Sequence, residues 1–500
     1  MFNNELMSFF LTQNQIQKLG ILINIREGKD VTLDSGNKSK RQTRELVNSL
    51  LKEVNDFFRI NSYHTRLEKI DSIFLFSPTI EDDLFVELLN NIREGYITSS
   101  SFFQALMYSL ENREFSLNEM ALELSYSESY VYKLLTKLQT FFNLLKINVE
   151  VKKIESTVKL IGNESHIRML NYFSVLIVFR ENTWPFKNIA EKKIITLQKY
   201  LNSNKYDRLS PNNKKRTSYI LAIYELALGK GARVNVLDQE IIDLGLFMNK
   251  EKNISLYLNH LKEEYLGSRE LFNQEIAHLY FFATYFIPEL LSNNEKEELG
   301  KKIYFVKENS IIRNTTLLID CIKKKFDIPE DIYFQLIFCI CSRFIVIHYL
   351  GLYKFVKPEK NEVSSETEIF IEESIDICFK QIQNSDSFSM LKFNLLQVIS
   401  SYIILTVNIS QKVYVEFFHK SAYKIIIENS LKINYDEKTI KIVDDYYQAD
   451  IVISDARPKD ENKSYFYFKD VFDQDSWKNL SSFISNSIKE KVLHESKLTD

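Results

Sequence analysis

Serine, tyrosine and lysine side chains gather at the start of a helix that the sequence predicts from residue 127 onward. At helical spacing Ser129, Tyr132 and Lys133 share one face, away from the apolar positions. All three can donate hydrogen bonds to phosphate oxygens, whereas bidentate recognition of a base usually needs Arg, Asn or Gln. We therefore expect sequence-independent contact with a polyanion. The candidate contacts here are Ser127, Glu128, Ser129, Tyr132, Lys133 and Lys137, with Lys152 and Lys153 in the segment that follows.

Another basic group, the first along the chain, lies near the start of an earlier predicted helix, and the residues from Ser127 onward form the second. The candidate contacts there are Lys38, Lys40, Arg41, Gln42 and Arg44. Residues 29–69 carry a net charge of +3 and residues 127–163 also +3, whereas residues 70–126 carry −8. Because the two basic segments flank an acidic one, a polyanion would be met by discrete surfaces and not by the whole region.

Two short helices joined by a tight turn are predicted to position the second basic group. The apolar spacing predicts buried residues at Leu117, Met120, Ala121 and Leu124 in the first helix, and at Val131, Leu134, Leu135 and Leu138 in the second. Ser127 suits the N-cap of the second helix, and Ser125 stands at the turn, where Gly is often found. This is the helix-turn-helix pattern. Alternation between Ile147 and Leu160 predicts a two-stranded wing after it.

The rest of the chain reads as mainly helical. Only 11 of its 500 residues are Gly and 7 are Pro, which favours long helices with few breaks. Helices are expected at 14–28, 81–92 and 99–111, with loosely alternating strands at 67–76. In the first of these helices Ile16, Leu19 and Ile23 are predicted to share the apolar face, with Leu22 as a further candidate. Residues 165–400 predict two helical bundles, and short apolar strands alternating with helices predict a small α/β domain at the end.

The helix-turn-helix, the wing and the run Leu-Ile-Gly-Asn-Glu-Ser-His-Ile-Arg at 160–168 resemble the Mga/AtxA family of global transcription (virulence) regulators of bacteria. That run is similar to the family's Gly-x-Glu-x-x-Ile-Arg junction. The resemblance covers nearly the whole chain. It implies a mainly α, multidomain fold: two winged helix-turn-helix domains at 1–77 and 78–163, two helical-bundle regulatory domains of the phosphotransferase-controlled (PRD-like) type at 164–290 and 291–404, and an α/β EIIB-like domain at 405–500.

The resemblance also implies the function. We expect a DNA-binding global regulator of transcription with low base-sequence specificity. Its partners would be double-stranded DNA and further copies of the chain, in a homodimer or higher homo-oligomer. Phosphotransferase-system phosphocarrier proteins would modulate it through histidines of the PRD-like domains. The candidates for phosphorylation are His260, His278 and His348. The last two stand among apolar residues, so a partly buried histidine with a structural role is the competing interpretation.

The sequence indicates no enzyme, cofactor or metal site, because it has no paired carboxylates, Ser/His/Asp set or ligand spacing that would support one. Three alternatives remain: a phosphotransferase-linked RNA-binding antiterminator, a phosphotransfer component using His348 or His419, and a helical scaffold in which the helix-turn-helix is only a packing motif. A working EIIB domain carries a cysteine after its first strand, and residues 415–421 contain His419 but no Cys. The apolar stretches at 332–353 and 394–409 contain polar residues, so buried helices and a cytoplasmic protein without a membrane span are expected.

Overall fold

A computed structural model describes most of the chain. The described residues are 4–29, 40–70, 73–179, 183–201, 203–234, 237–251, 269–306, 308–358, 366–406, 411–417, 419, 423–436, 439–456 and 463–494. The chain divides into two compact units. The first comprises Met1–Leu291 and Val346–Lys357, and the second comprises Ser292–Ile345 and Pro358–Asp500.

In the N-terminal part of the first unit, the second and third helices and a hairpin share one core. The first helix packs instead against Phe102 and Phe141 of the following part. The elements are α1 (Asn4–Phe10), α2 (Gln13–Arg26), α3 (Lys40–Ile60), β1 (Arg66–Ile70) and β2 (Ile73–Ser77). The alternation predicted strands here, and the two that form pair antiparallel. Helix α3 buries Leu50 and Val54 completely, while α2 buries Ile21, Leu22 and Ile25. The predicted apolar face of α2 is confirmed only in part: Leu22 is completely buried and Leu19 packs against the core, whereas Ile23 is exposed.

The next part of the first unit is a winged helix-turn-helix. Its elements are α4 (Asp82–Thr98), α5 (Ser101–Asn112), β3 (Glu114–Ser116), α6 (Leu117–Leu124), α7 (Glu128–Leu144), β4 (Val149–Ile154) and β5 (Thr157–Gly162). The wing has three antiparallel strands in the order β3-β5-β4. The sequence predicted two of them. Strand β3 escaped notice because three residues are too few for an alternating pattern to register.

Helices complete the first unit. They are α8 (Glu164–Val178), α9 (Glu191–Leu197), α10 (Ser203–Tyr206), α11 (Pro211–Gly229), α12 (Gln239–Glu251) and α13 (Arg269–Phe286). Ser210 caps α11 by accepting from the Asn213 N–H, and Pro211 occupies the first helical position, where it costs no hydrogen bond. A π-helical turn at Ile345–Tyr349 lies mostly in this unit.

The second unit combines a helical part with a small sheet. Its first helices are α14 (Asn293–Tyr304), α15 (Ser310–Lys323), α16 (Glu330–Phe344), α17 (Glu366–Cys378) and α18 (Phe388–Thr406). The elements after them are β6 (Gln411–Val415), α19 (Tyr423–Asn434), β7 (Ile440–Ile442), β8 (Ile451–Ser454), β9 (Ser464–Tyr467) and α20 (Gln474–His494). The four strands are parallel in the order β7-β6-β8-β9.

The prediction of a mainly helical chain with small sheets is confirmed. The PRD-like and EIIB-like identities and the five domain limits stay predictions. Among the described residues, one helical stretch, Glu330–Tyr349, is long and apolar enough to cross a membrane. In its apolar 18-residue segment, 72% is buried inside the protein. Burial in the core therefore explains the apolar character of this stretch, as the sequence predicted.

Candidate nucleic-acid interface

The first helix of the helix-turn-helix is fixed at its start by reciprocal capping. The Ser116 hydroxyl accepts from the Glu119 N–H at 3.1 Å, and the Glu119 carboxylate accepts from the Ser116 N–H at 2.6 Å. Two backbone donors that the helix itself leaves unpaired are thereby satisfied. These hydrogen bonds also hold the pKa of the Glu119 carboxyl below its usual value. Helix α6 therefore starts at a defined residue, directly after strand β3 of the wing.

A residue in the left-handed backbone conformation makes the tight turn between the two helices. Ser125 has φ 57° and ψ 42°, a conformation that usually falls to Gly. The Tyr126 N–H then donates to the Ala121 carbonyl at 2.9 Å, and Ala121 is buried, as predicted. Ser127 caps α7 by accepting from the Tyr130 N–H, as predicted. The buried positions predicted for α7 are confirmed, whereas Leu117 and Leu124 are only half-buried.

Two tyrosines hold the turn against helix α5. The Tyr126 hydroxyl donates to the Gln104 carboxamide oxygen at 2.9 Å, and the Tyr130 and Ser101 hydroxyls are 2.8 Å apart. The two rings pack edge to face with 5.2 Å between centroids. The sequence interpretation missed this contact, because Tyr126 lies in the turn before the N-cap and helical spacing does not predict its neighbours. Because of it, the N-terminus of α7 is held in a fixed orientation.

The N-terminal turns of α7 present the predicted contact residues to solvent. Glu128, Ser129 and Lys133 are exposed, and Tyr132 is 59% exposed. The backbone N–H groups at this end carry the positive end of the helix dipole, which favours a phosphate group. Glu128 opposes that attraction, and Lys133 supplies a full positive charge one turn away. The structure brings these residues together on one surface, which we call the α7 surface.

Lys137, one turn further along, is differently placed. Its ammonium group donates to the Phe9 carbonyl oxygen at 3.2 Å and lies 5.1 Å from the centre of the Phe102 ring. Burial against these groups lowers the pKa of Lys137. The N-terminal helix α1 therefore competes with any phosphate for this cation.

The wing carries the other predicted lysines. Gln139 of α7 fixes strand β4, because its side-chain oxygen accepts from the Val151 N–H at 2.8 Å. Lys152 and Lys153 are both exposed, and successive residues of a strand point to opposite faces. Lys152 stands opposite Lys159, whose charge is balanced by Glu114 at 2.9 Å. Lys152 and Lys153 are therefore the exposed cations at this end of the wing.

The first basic group is only partly described. Lys38 lies outside the described residues, and only the backbone of Lys40, Arg41 and Gln42 is placed, in the first turn of α3. Arg44 is exposed on that helix. The prediction that this group contacts DNA therefore stays a prediction.

Glycine and a buried ion-pair network form the junction after the wing. Gly162 has φ +134°, and a Cβ there would lie 2.2 Å from the Asn148 carbonyl oxygen, so only Gly fits. Arg168 donates from Nη1 and Nη2 to both oxygens of Glu275, at 2.6 and 3.0 Å. Its Nε donates to Glu164 at 2.9 Å, and Arg113 donates to the same oxygen at 3.1 Å. The two carboxylates hold the pKa of Arg168 above its usual value against the effect of burial.

His278 lies in the core beside this network. The Ser165 hydroxyl donates to the Leu350 carbonyl at 3.0 Å and therefore accepts from His278 Nε2–H at 2.9 Å. His278 Nδ1 then accepts from the Tyr224 hydroxyl. Burial lowers the pKa of His278 far below its usual value, so the ring is neutral. Both ring nitrogens are engaged and the residue is completely buried, so a phosphoryl donor reaches neither unless the core opens.

The other two histidine candidates differ. His348 is half-buried in the π-helical turn, and burial lowers its pKa while Asp238 acts in the opposite direction. His260 lies outside the described residues.

One part of the chain matches a known protein family. Residues 87–174 match the family model of the Mga helix-turn-helix domain. This range contains both helices of the motif, the wing and the junction at Gly162–Arg168. The match confirms the resemblance to the Mga/AtxA family that the sequence indicated. No curated protein matches the chain.

Proposed function

Because residues 87–174 form an Mga helix-turn-helix domain, the DNA-binding domain of a transcription regulator, we propose that the chain is a global transcription regulator that binds duplex DNA through the α7 surface and the wing. The observation that carries this proposal is the exposed, capped N-terminus of α7 with Ser129, Tyr132 and Lys133 on one side. Recognition helices of this class enter the major groove with their N-terminal residues.

Low base-sequence specificity is part of the proposal. Residues 128–137 contain no Arg, Asn or Gln, the side chains that make bidentate contacts with guanine or adenine. Serine, tyrosine and lysine can still bind phosphate oxygens, which fix register without reading bases. Selectivity would then depend on the shape and deformability of the DNA.

Self-association and control by phosphorylation complete the proposal. The α/β part after residue 405 is the proposed EIIB-like dimerisation domain, and the described helices of residues 164–404 are the proposed PRD-like domains. Within them His348 is a better candidate for phosphorylation than His278, because it is half-buried, whereas His278 is enclosed with both nitrogens bonded. The helix-turn-helix at 117–144 disfavours the RNA-binding antiterminator, whose class uses a small β-rich domain to bind RNA.

Fluorescence anisotropy with labelled duplexes tests the DNA-binding role. Straight and intrinsically curved duplexes of several sequences are titrated with the full chain across a salt series. We expect tight binding that weakens steeply with salt and varies little with sequence. Absence of binding at low salt for both the unphosphorylated and the phosphorylated chain would leave the helix-turn-helix as a packing motif. Light scattering of the full chain tests self-association, and the mass of a single chain would contradict it.

A further inference from the structure

A cavity of about 570 Å³ lies beside the helix-turn-helix, in the first unit. Helix α5, the end of α6 and the segment 184–188 form its walls. Its volume falls within the ~300–1,000 Å³ typical of small-molecule sites. None of the candidate DNA contacts lines it, so it is a separate site from the α7 surface.

Aromatic rings make up much of the cavity wall. Phe103 and Phe186 are buried, and Phe179 and Trp184 are half-buried. The Trp184 indole N–H donates to the Ile189 carbonyl at 2.7 Å, which fixes the ring in position. Such a wall accepts the apolar body of a ligand. The Lys215 ammonium group already lies over the Trp184 ring, 5.4 Å from its centre.

A buried carboxylate is set into the same wall. Glu111 is 3% exposed, and its oxygens accept from the backbone N–H groups of Lys187 and Asn188 at 2.8 to 3.3 Å. A carboxylate has about four acceptor positions, so two N–H donors leave it capacity for a ligand. The ammonium group of Lys187 lies near Glu123 at the rim, 3.6 Å away. The carboxyl and ammonium groups of the lining are thus Glu111, Glu123 and Lys187, and their net charge is negative when Glu111 is ionised. Burial raises the pKa of Glu111, and the Asn188 and Lys187 N–H groups act in the opposite direction.

We propose that this cavity binds a small organic ammonium compound. Its apolar body lies against the aromatic wall, and its cation lies near Glu111, where a positive charge offsets the cost of a buried carboxylate. An anionic ligand of the same shape would meet repulsion from both glutamates.

The site is also placed to influence the helix-turn-helix. Glu123 and Leu124 of the lining belong to α6, and Gln104 of the lining accepts the hydrogen bond from Tyr126 in the turn. A ligand in the cavity therefore contacts residues that orient the N-terminus of α7. This effect on DNA binding rests on the proposed function, whereas ligand binding itself does not.

The fluorescence emission of Trp184 reports whether a ligand occupies the cavity. The chain has two tryptophans, so Trp477→Phe in the full chain leaves Trp184 as the single indole. The probes are 2-phenylethylammonium, 2-phenylethanol and 3-phenylpropionate, which share a phenyl group and differ in charge. We expect a saturable change in Trp184 emission with the ammonium compound, and binding at least about tenfold weaker for the alcohol and the carboxylate. Equal binding of all three, or no saturable change with the ammonium compound, would overturn the proposal.

Two variants test whether the ammonium group of the ligand lies near Glu111. Glu111→Gln keeps an acceptor for the backbone N–H groups but removes the charge, and we expect about tenfold weaker binding of 2-phenylethylammonium. Glu123→Gln is a matched rim variant at an exposed position, with an expected loss of threefold or less by the same reasoning. If Glu111→Gln fails to fold, discrimination among the three probes by the parent chain decides. DNA anisotropy is recorded separately, so a chain that binds no DNA but binds the ammonium compound still supports the site.

Discussion

The ammonium group of Lys137 donates to the backbone carbonyl oxygen of Phe9, 128 residues earlier in the chain, at 3.2 Å. The same group lies over the Phe9 and Phe102 rings. Lys133, one turn earlier on the same helix, is exposed. Two lysines that share a helix face therefore have different environments, and their contributions to DNA binding should differ.

Binding to DNA weakens with salt, and the slope of log K against log salt concentration measures this dependence. Lys133→Ala should make that slope smaller by about one unit, since each phosphate contact contributes ~0.9. Lys137→Ala should reduce it by less than half a unit, because α1 already engages that cation. The double variant should then resemble Lys133→Ala. Anisotropy across a salt series measures all three slopes, and equal slopes for the two single variants would show that Lys137 leaves α1 to bind DNA.

Glu275→Gln should destabilise the first unit by about 3–5 kcal/mol, because the buried Arg168 then has one carboxylate partner instead of two. The double variant Arg168→Met with Glu275→Met should cost less than the two single changes added together. Urea unfolding followed by Trp184 emission in a Trp477→Phe background measures the effect in this unit. Additive costs would mean that the two side chains do not act as a pair.

His166 should make stability depend on pH. Burial lowers its pKa from 6.5 to about 4, and the nearby Lys354 adds to the shift. Below pH 6.5 the unfolded chain takes up a proton that the folded chain does not, so stability falls as the pH decreases towards 4 and is unaffected above 6.5. Between neutral pH and about pH 5 the loss should be about 2 kcal/mol.

The matched variant for that prediction is His166→Gln, which can still accept from the Asn148 N–H but does not titrate. Thermal unfolding of both chains at the two pH values gives the difference. The variant should lose less stability than the parent on acidification. A parallel loss in both chains would assign the acid sensitivity to other groups.

Ser125→Gly should stabilise the helix-turn-helix by up to about 1 kcal/mol. The residue has a left-handed conformation that costs Ser roughly 1–2 kcal/mol, and the greater freedom of Gly in the unfolded chain offsets part of the gain. Its counterpart is Ser127→Ala, which removes the N-cap and should cost about 1 kcal/mol. Urea unfolding followed by circular dichroism gives the midpoints of the parent chain and of the two variants. A midpoint for Ser125→Gly below that of the parent would contradict the reasoning.

Most elements of this protein could be predicted from local patterns. The paired helices at 117–144, the wing strands and the alternating strands and helices after residue 405 all follow from period and capping, which depend on neighbours within a few residues. Ser127 is the N-cap that its position indicated. Helix α2 shows the limit, because its apolar residues fitted more than one stripe, and the partner helices decided that Leu22 is buried and Ile23 is not.

The sequence by itself determined the helix-turn-helix, the mainly helical architecture and the polar composition of the α7 surface. Only the tertiary structure decided which cation of this helix is engaged by α1: both lysines are exposed, and the Phe9 carbonyl oxygen accepts from Lys137. It also paired Arg168 with Glu275, 107 residues apart. It enclosed His278 between Tyr224 and Ser165. These outcomes depend on contacts between distant segments, and the spacing of residues along one helix carries no information about which other helix will pack against it.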